Sequence, residues 1–263
     1  MVWDLKPGII YGPVDSRRLG RSLGINLSPS GYKLCSFNCV YCHYGWTRKL
    51  AASFDPFNDD LPSRLEVAAA VEEALKPGIE FDYITFSGNG EPTLHPDFPE
   101  LVGDVIRLRD LYRPRARLGL LSNSTGLAHK SVREVIPRID FPMFKLDVGT
   151  EATFKAVNRP ARGITFAAIV DSLESLSDII IQSVLIDGNP SNVTEDELDA
   201  YFDLLMRIKP REAHIYSIDR PVPKTDIELV SPERLEEIAE AGRKKTGIRI
   251  IAFYPRHKAY RRV

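Results

Sequence analysis

The sequence predicts an α/β fold, an open or partial (β/α)6 barrel, and two features carry that expectation. Short β-branched runs alternate with longer helix-patterned segments, and no glycine-rich dinucleotide fingerprint follows the first strand. Strands are expected near Gly24 to Leu27, Tyr83 to Phe86, Arg117 to Leu121, Met143 to Asp147, Ile179 to Ile186 and Ala213 to Ile218, with a weaker seventh at Ile248 to Phe253. Helices lie between them. Ser63 followed by Glu66 reads as a capping box ahead of Leu65, Val67 and Ala68, and Ser231 before Pro232 as a cap with proline at the first helical position. Thr194 ahead of Glu195, Asp196 and Glu197 starts another helix with acids in its first turn. In a barrel or a doubly wound sheet alike, ligands gather at the C-terminal ends of the strands. The residues that follow each strand are therefore the first place to look for a site.

A chain of 263 residues with 43% hydrophobic residues suits one domain over 1–263, with an N-terminal extension at 1–22 and a basic segment at 243–263. That last segment holds eight Lys or Arg and no acid, so the remainder carries 27 basic against 36 acidic side chains. Such a segment suits nucleic-acid phosphates or an acidic partner, and equally a solvated tail. No apolar run reaches the length of a membrane span, and Met1 to Lys6 lacks the layout of a signal peptide, so no membrane and a cytoplasmic location are expected.

The three cysteines all fall between Cys35 and Cys42. An odd, clustered set makes a poor disulfide framework and suits metal or redox work. Thiols at Cys35, Cys39 and Cys42 can converge from one short loop onto three corners of an iron-sulfur cube, leaving the fourth iron without a cysteine. A zinc site completed by His43 or a remote histidine, and three unliganded thiols, are the alternatives on spacing alone.

The spacing Cys35-x3-Cys39-x-Tyr41-Cys42 resembles the signature of the radical S-adenosylmethionine (SAM) superfamily, including the aromatic residue before the third cysteine. The segments Tyr11 to Gly24, Thr85 to His95, Lys145 to Asp147 and Ile215 to Pro221 extend the likeness over most of the chain, toward short proteins related to the wyosine tRNA-modification enzymes. The resemblance implies a partial (β/α)6 TIM-like barrel of the radical SAM type. It implies one 4Fe-4S cluster on Cys35, Cys39 and Cys42, SAM chelating the open iron, reductive cleavage to a 5′-deoxyadenosyl radical, and hydrogen abstraction from a substrate. It also implies an electron donor such as flavodoxin or ferredoxin, and RNA, a nucleotide or a small metabolite as substrate.

Residue by residue, Gly88, Gly90 and Glu91 match the superfamily's glycine-glycine-glutamate motif, which receives the cofactor's ammonium, with Asn89 a departure between the glycines. Tyr41, Asn123, Lys145, Asp147 and Gln182 are the further cofactor-binding candidates the resemblance implies. The bland alternatives are a turn cap for Asn123 and a structural ion pair for Lys145 and Asp147. Tyr216 is a weaker candidate for contact with adenine or substrate, Arg220 for an anionic substrate group, and His43 for a hydrogen bond to the cluster. Arg17, Arg18 and Arg21 precede the first strand and are expected at the barrel's bottom or flank.

No cysteine remains for a second, protein-thiolate-bound cluster, which disfavours wyosine formation, peptide maturation through auxiliary clusters and sulfur insertion. Two other readings stand beside hydrogen abstraction: an RNA-binding module with structural cysteines, and an activator that installs a glycyl radical in a partner.

Overall fold

Each β-branched run becomes a strand in the computed structural model, which describes residues 2–16, 18–53, 60–76 and 78–254. The chain runs β1 (Ile10–Ser16), β2 (Gly20–Ile25), β3 (Leu34–Cys35), β4 (Lys49–Leu50), α1 (Arg64–Leu75), β5 (Tyr83–Phe86), α2 (Phe98–Tyr112), β6 (Arg117–Ser122) and α3 (Lys130–Val135). It continues through β7 (Phe141–Lys145), α4 (Glu151–Val157), α5 (Phe166–Glu174), β8 (Ile180–Gly188), α6 (Glu195–Ile208), β9 (Glu212–Ser217), β10 (Ile227–Leu229), α7 (Pro232–Thr246) and β11 (Ile250–Phe253).

Among the described residues the main sheet runs β1-β2-β5-β6-β7-β8-β9-β11, parallel from β2 onward, with β10 added antiparallel to β8. Such a parallel order with helical crossovers is a curved βα array, and its two ends, β1 and β11, are not paired with each other. The segment 1–22 is not merely appended: it supplies β1 and the start of β2, joined antiparallel with Ser16 opposite Gly20. The first parallel strand therefore begins at Gly20, four residues before the position expected from sequence. Residues 255–263 of the basic segment lie outside the described residues, while 243–254 complete α7 and β11.

Strand alternation separates two apolar layers. Phe144, Ile181, Ala213 and Ile215 face the helices and join the main core, while Met143 and Ile180 turn inward with Leu19 to form a small apolar floor. The helices bury residues at helical spacing, such as Phe98, Leu101, Val102, Val105 and Leu108 of α2. Ser63 and Glu66 form the full capping box on α1, although Leu65 is 82% exposed and packs on nothing. Ser231 caps α7 through the Arg234 amide; Thr194 sits at the N-cap of α6 without a side-chain bond, leaving the acids of the first turn to favour that end. Among the described residues no helix is long and apolar enough to cross a membrane.

Candidate active site

The cysteine loop leaves β2 and folds over the C-terminal ends of the strands. It is stapled on both flanks by backbone. On one side the Glu91 amide donates to the Leu34 carbonyl at 3.1 Å, and Leu34 bridges Gly90. The approach is so close that a Cβ on Gly90 would overlap the Leu34 carbonyl, which is why this position must be glycine. On the other side Asn38 and Val40 donate to the carbonyls of Asn158 and Val157, each at 3.0 Å, and Ala161 to that of Ser36 at 2.9 Å. The two-residue ladder of β3 with β4 closes the loop on itself.

This arrangement places Cys35, Cys39 and Cys42, all free thiols, on the wall of a cavity of about 230 Å³. Gly88, Gly90, Glu91, Asn123, Lys145, Gln182 and Tyr41 share that wall, so nearly all the residues singled out from sequence are brought together. Among the described residues no three His, Cys, Asp or Glu side chains converge on a point where one metal ion would sit. Zinc thiolates would have to meet within about 2.3 Å of one centre. Three thiols on one wall suit instead a group that takes one sulfur at each of three corners. Asn123 Nδ2 reaches the Cys35 sulfur and Asn158 Nδ2 the Cys39 sulfur, each at 3.5 Å. Such donors hold a sulfur's orientation and favour its thiolate. Burial pushes the Cys35 thiol up to about 12 against the pull of Lys33, and burial raises Cys39 as well. Ligation must therefore expel thiol protons.

Glu91 is almost wholly buried. Its Oε1 accepts from the Thr93 amide, the Thr93 hydroxyl and the Ser122 hydroxyl, and its Oε2 only from the Asn123 amide at 2.6 Å. Burial raises its pKa while these bonds favour the carboxylate. The intervening Asn89 turns away from the cavity: its side chain accepts from the Lys6 amide at 2.6 Å and donates to the Lys6 carbonyl at 2.9 Å. The departure from a plain glycine pair thus ties down the N-terminal segment.

Asn123 stands on the wall and at a turn. It lines the cavity, and its Oδ1 accepts from the Thr125 amide and hydroxyl to shape the turn after β6. Lys145 faces the cavity with its ammonium 3.6 Å from Asp147 and 5.2 Å from the Tyr41 ring centre. Burial works against its charge, yet Asp147, Tyr216 and Cys39 hold its pKa above the ordinary lysine value.

Asp147 itself does not reach the wall. The strand ends at Lys145, so the alternation that would have carried both side chains inward stops before it. Asp147 instead accepts from the Tyr41 hydroxyl, from Asn158 Nδ2 at 2.6 Å and from the Val184 amide at 2.8 Å. It anchors Tyr41 and Asn158 from behind the wall, off the cavity where the cofactor contact was expected.

Gln182 lines the cavity and accepts from Arg18 Nη1 at 2.7 Å. Arg18 is thus not at the bottom or flank: its guanidinium enters the barrel and lies 4.5 Å over the Tyr216 ring. Arg21 stays outside, with its amide on Asp82, and Arg17 lies outside the described residues. His43 lines the cavity with Nε2 4.0 Å from Asp219 and a buried Nδ1 that has no partner, and burial lowers its pKa.

Two site residues escaped the sequence reading. Lys33 is 5% exposed and donates to the Gly45 carbonyl at 3.0 Å. Burial opposes its charge, but the thiols of Cys42, Cys35 and Cys39 raise its pKa. Asn158 follows α4 with no local motif to mark it; the one signal for Lys33 was its place two residues before Cys35.

The same layout recurs in known proteins. The family model of the Radical SAM superfamily matches residues 30–205. A UPF0026 protein of Synechocystis is 33% identical over 224 residues, covering 81% of this chain and 77% of that relative. A Brachyspira hyodysenteriae protein named GTPase Obg is 28% identical over 236 residues, 89% of this chain but 33% of its own length, so this chain spans about a third of that relative. Among solved structures, TYW1 with a lysine-pyruvate adduct bound superposes with a TM-score of 0.61 at 16% identity, covering 87% of this chain and 76% of that one; at such identity the likeness is one of fold. The matched residues take in the cysteine loop, the Gly88–Glu91 turn and four of the strands that carry the cavity, and the chain belongs to the radical SAM superfamily of enzymes.

Proposed function

We propose that Cys35, Cys39 and Cys42 hold one 4Fe-4S cluster, and that the cavity beside them takes S-adenosylmethionine on the iron they leave free. The observation that carries this reading is the placing of three cysteines, all free thiols, on the wall of one cavity together with Gly88, Gly90 and Glu91. When bound, the pair supplies one-electron cleavage of the cofactor's C5′–S bond and hence hydrogen abstraction from a substrate.

The chain's own contribution is to hold and to exclude. Gly88 and Gly90 expose backbone on the wall, and Glu91 Oε2, with a single partner, keeps capacity for a cofactor ammonium. Lys145 offers a positive charge to a carboxylate, and Gln182, Asn123 and Tyr41 supply polar edges. Asn123 and Asn158 orient two of the sulfurs, and the apolar floor closes the barrel below, keeping water from the reacting groups. The substrate class stays within the nucleotide, RNA-base or small-metabolite range, a flavodoxin or ferredoxin supplies the electron, and the reducing cytoplasm suits free cluster thiols.

Anaerobically reconstituted protein, given dithionite and SAM, releases 5′-deoxyadenosine, and Cys39→Ala reduces the release to background. Equal release from the variant, or none from the parent protein with its iron in place, removes the proposal.

A further inference from the structure

A second cavity, of about 290 Å³, adjoins the first, and Arg18, His43, Tyr44, Leu121 and Tyr216 line both. The rest of its wall spans the gap in the barrel, with Tyr11 and Asp15 from β1 on one edge, Phe253 from β11 on the other, and Trp3 and Lys6 from the N-terminal segment. Among the described residues three cations line it, Lys6, Arg18 and Arg220, against the single carboxylate of Asp15.

All three cations lie on aromatic rings, and Arg220 is also paired with an acid. Lys6 lies 5.5 Å from the Trp3 ring centre and 5.0 Å from that of Tyr11, Arg220 lies 3.8 Å over Trp3, and Arg18 lies 4.5 Å over Tyr216. Among the described residues neither Lys6 nor Arg18 has a carboxylate within ion-pair distance, while Arg220 Nε lies 3.6 Å from Asp219. An aromatic face fixes a cation without cancelling its charge. A stacked guanidinium also keeps its N–H fork in its own plane, free for a bidentate oxyanion. Among the described residues Arg18 spends one N–H on Gln182 and keeps the rest of its fork for a ligand. Uncompensated charge and unfilled donors thus meet in one chamber beside the thiols.

We propose that this chamber is the substrate site and that it recognises a substrate by an oxyanion group, phosphate or carboxylate, held between Lys6, Arg18 and Arg220. Its chemistry rests on the radical SAM reading of the first cavity; the anion recognition does not.

Trp3 is a built-in reporter. The chain's other tryptophan, Trp46, lines neither cavity and carries Arg159 on its ring, so Trp46→Phe leaves Trp3 as the sole indole. Inorganic phosphate and, separately, acetate are titrated into the full chain at ionic strength fixed with chloride. A saturable change in Trp3 emission is expected with at least one of them, phosphate pointing to a phosphorylated substrate and acetate alone to a carboxylate. The midpoint weakens about fivefold or more in Lys6→Gln and in Arg220→Gln, the loss of a charge-assisted contact, and Lys6→Arg restores it. No response beyond chloride, or midpoints unchanged in both glutamine variants, overturns the proposal. Because the readout needs neither cluster nor SAM, a chain that binds phosphate but releases no 5′-deoxyadenosine sinks the other reading and leaves this one.

Discussion

Lys33 holds its ammonium among three thiols and a single carbonyl, with no carboxylate within ion-pair distance among the described residues. A buried positive charge beside an iron-sulfur centre favours the reduced, more negative state. Lys33→Met should therefore lower the midpoint potential of the reconstituted cluster by roughly 50–150 mV, the size of about 1–3 kcal/mol of charge interaction at an effective dielectric near 20. Lys33→Arg should hold it, and an EPR-monitored redox titration reads both. At this scale the grouping of the three thiols was legible because its spacing is local to eight residues. Lys33 and Asn158 were not, since a lysine in a loop and an asparagine after a helix ordinarily meet water, and only tertiary packing buries them. Asp147 misled because its direction depends on where β7 stops, a boundary that sequence places poorly.

The parallel strands and the caps of α1 and α7 were legible for a like reason: alternation and capping chemistry act within a few residues. The β1–β2 hairpin was not, because Gly12 and Pro13 interrupt β1 and argue against a strand there. Pro13 is tolerated because β1 is an edge strand. The joint between the cysteine loop and the turn after β5 makes its own prediction. Gly90→Ala drives a Cβ into the Leu34 carbonyl and should cost about 1–3 kcal/mol in urea unfolding while lowering bound iron. Gly103→Ala in α2, where a Cβ meets nothing nearer than 3.7 Å, should instead stabilise by about 0.5–1 kcal/mol. Equal effects at the two positions would show that the close approach is not what Gly90 is for.

For the molecule as a whole, the N-terminal segment forms part of the chamber wall, held to the barrel through Asn89. Asn89→Ala removes both hydrogen bonds to Lys6 and should speed exchange of the Lys6 amide about tenfold or more, with little change at amides of β7 and β8. Uniform acceleration across the sheet would mean that the segment is part of the global unfolding unit instead. Among the described residues the edges β1 and β11 are not paired with each other, which has a last consequence. A closed ring admits only what fits down its axis, whereas a slit in the side works like a keyhole: it limits the width of the bit that is inserted and puts no limit on the handle that stays outside.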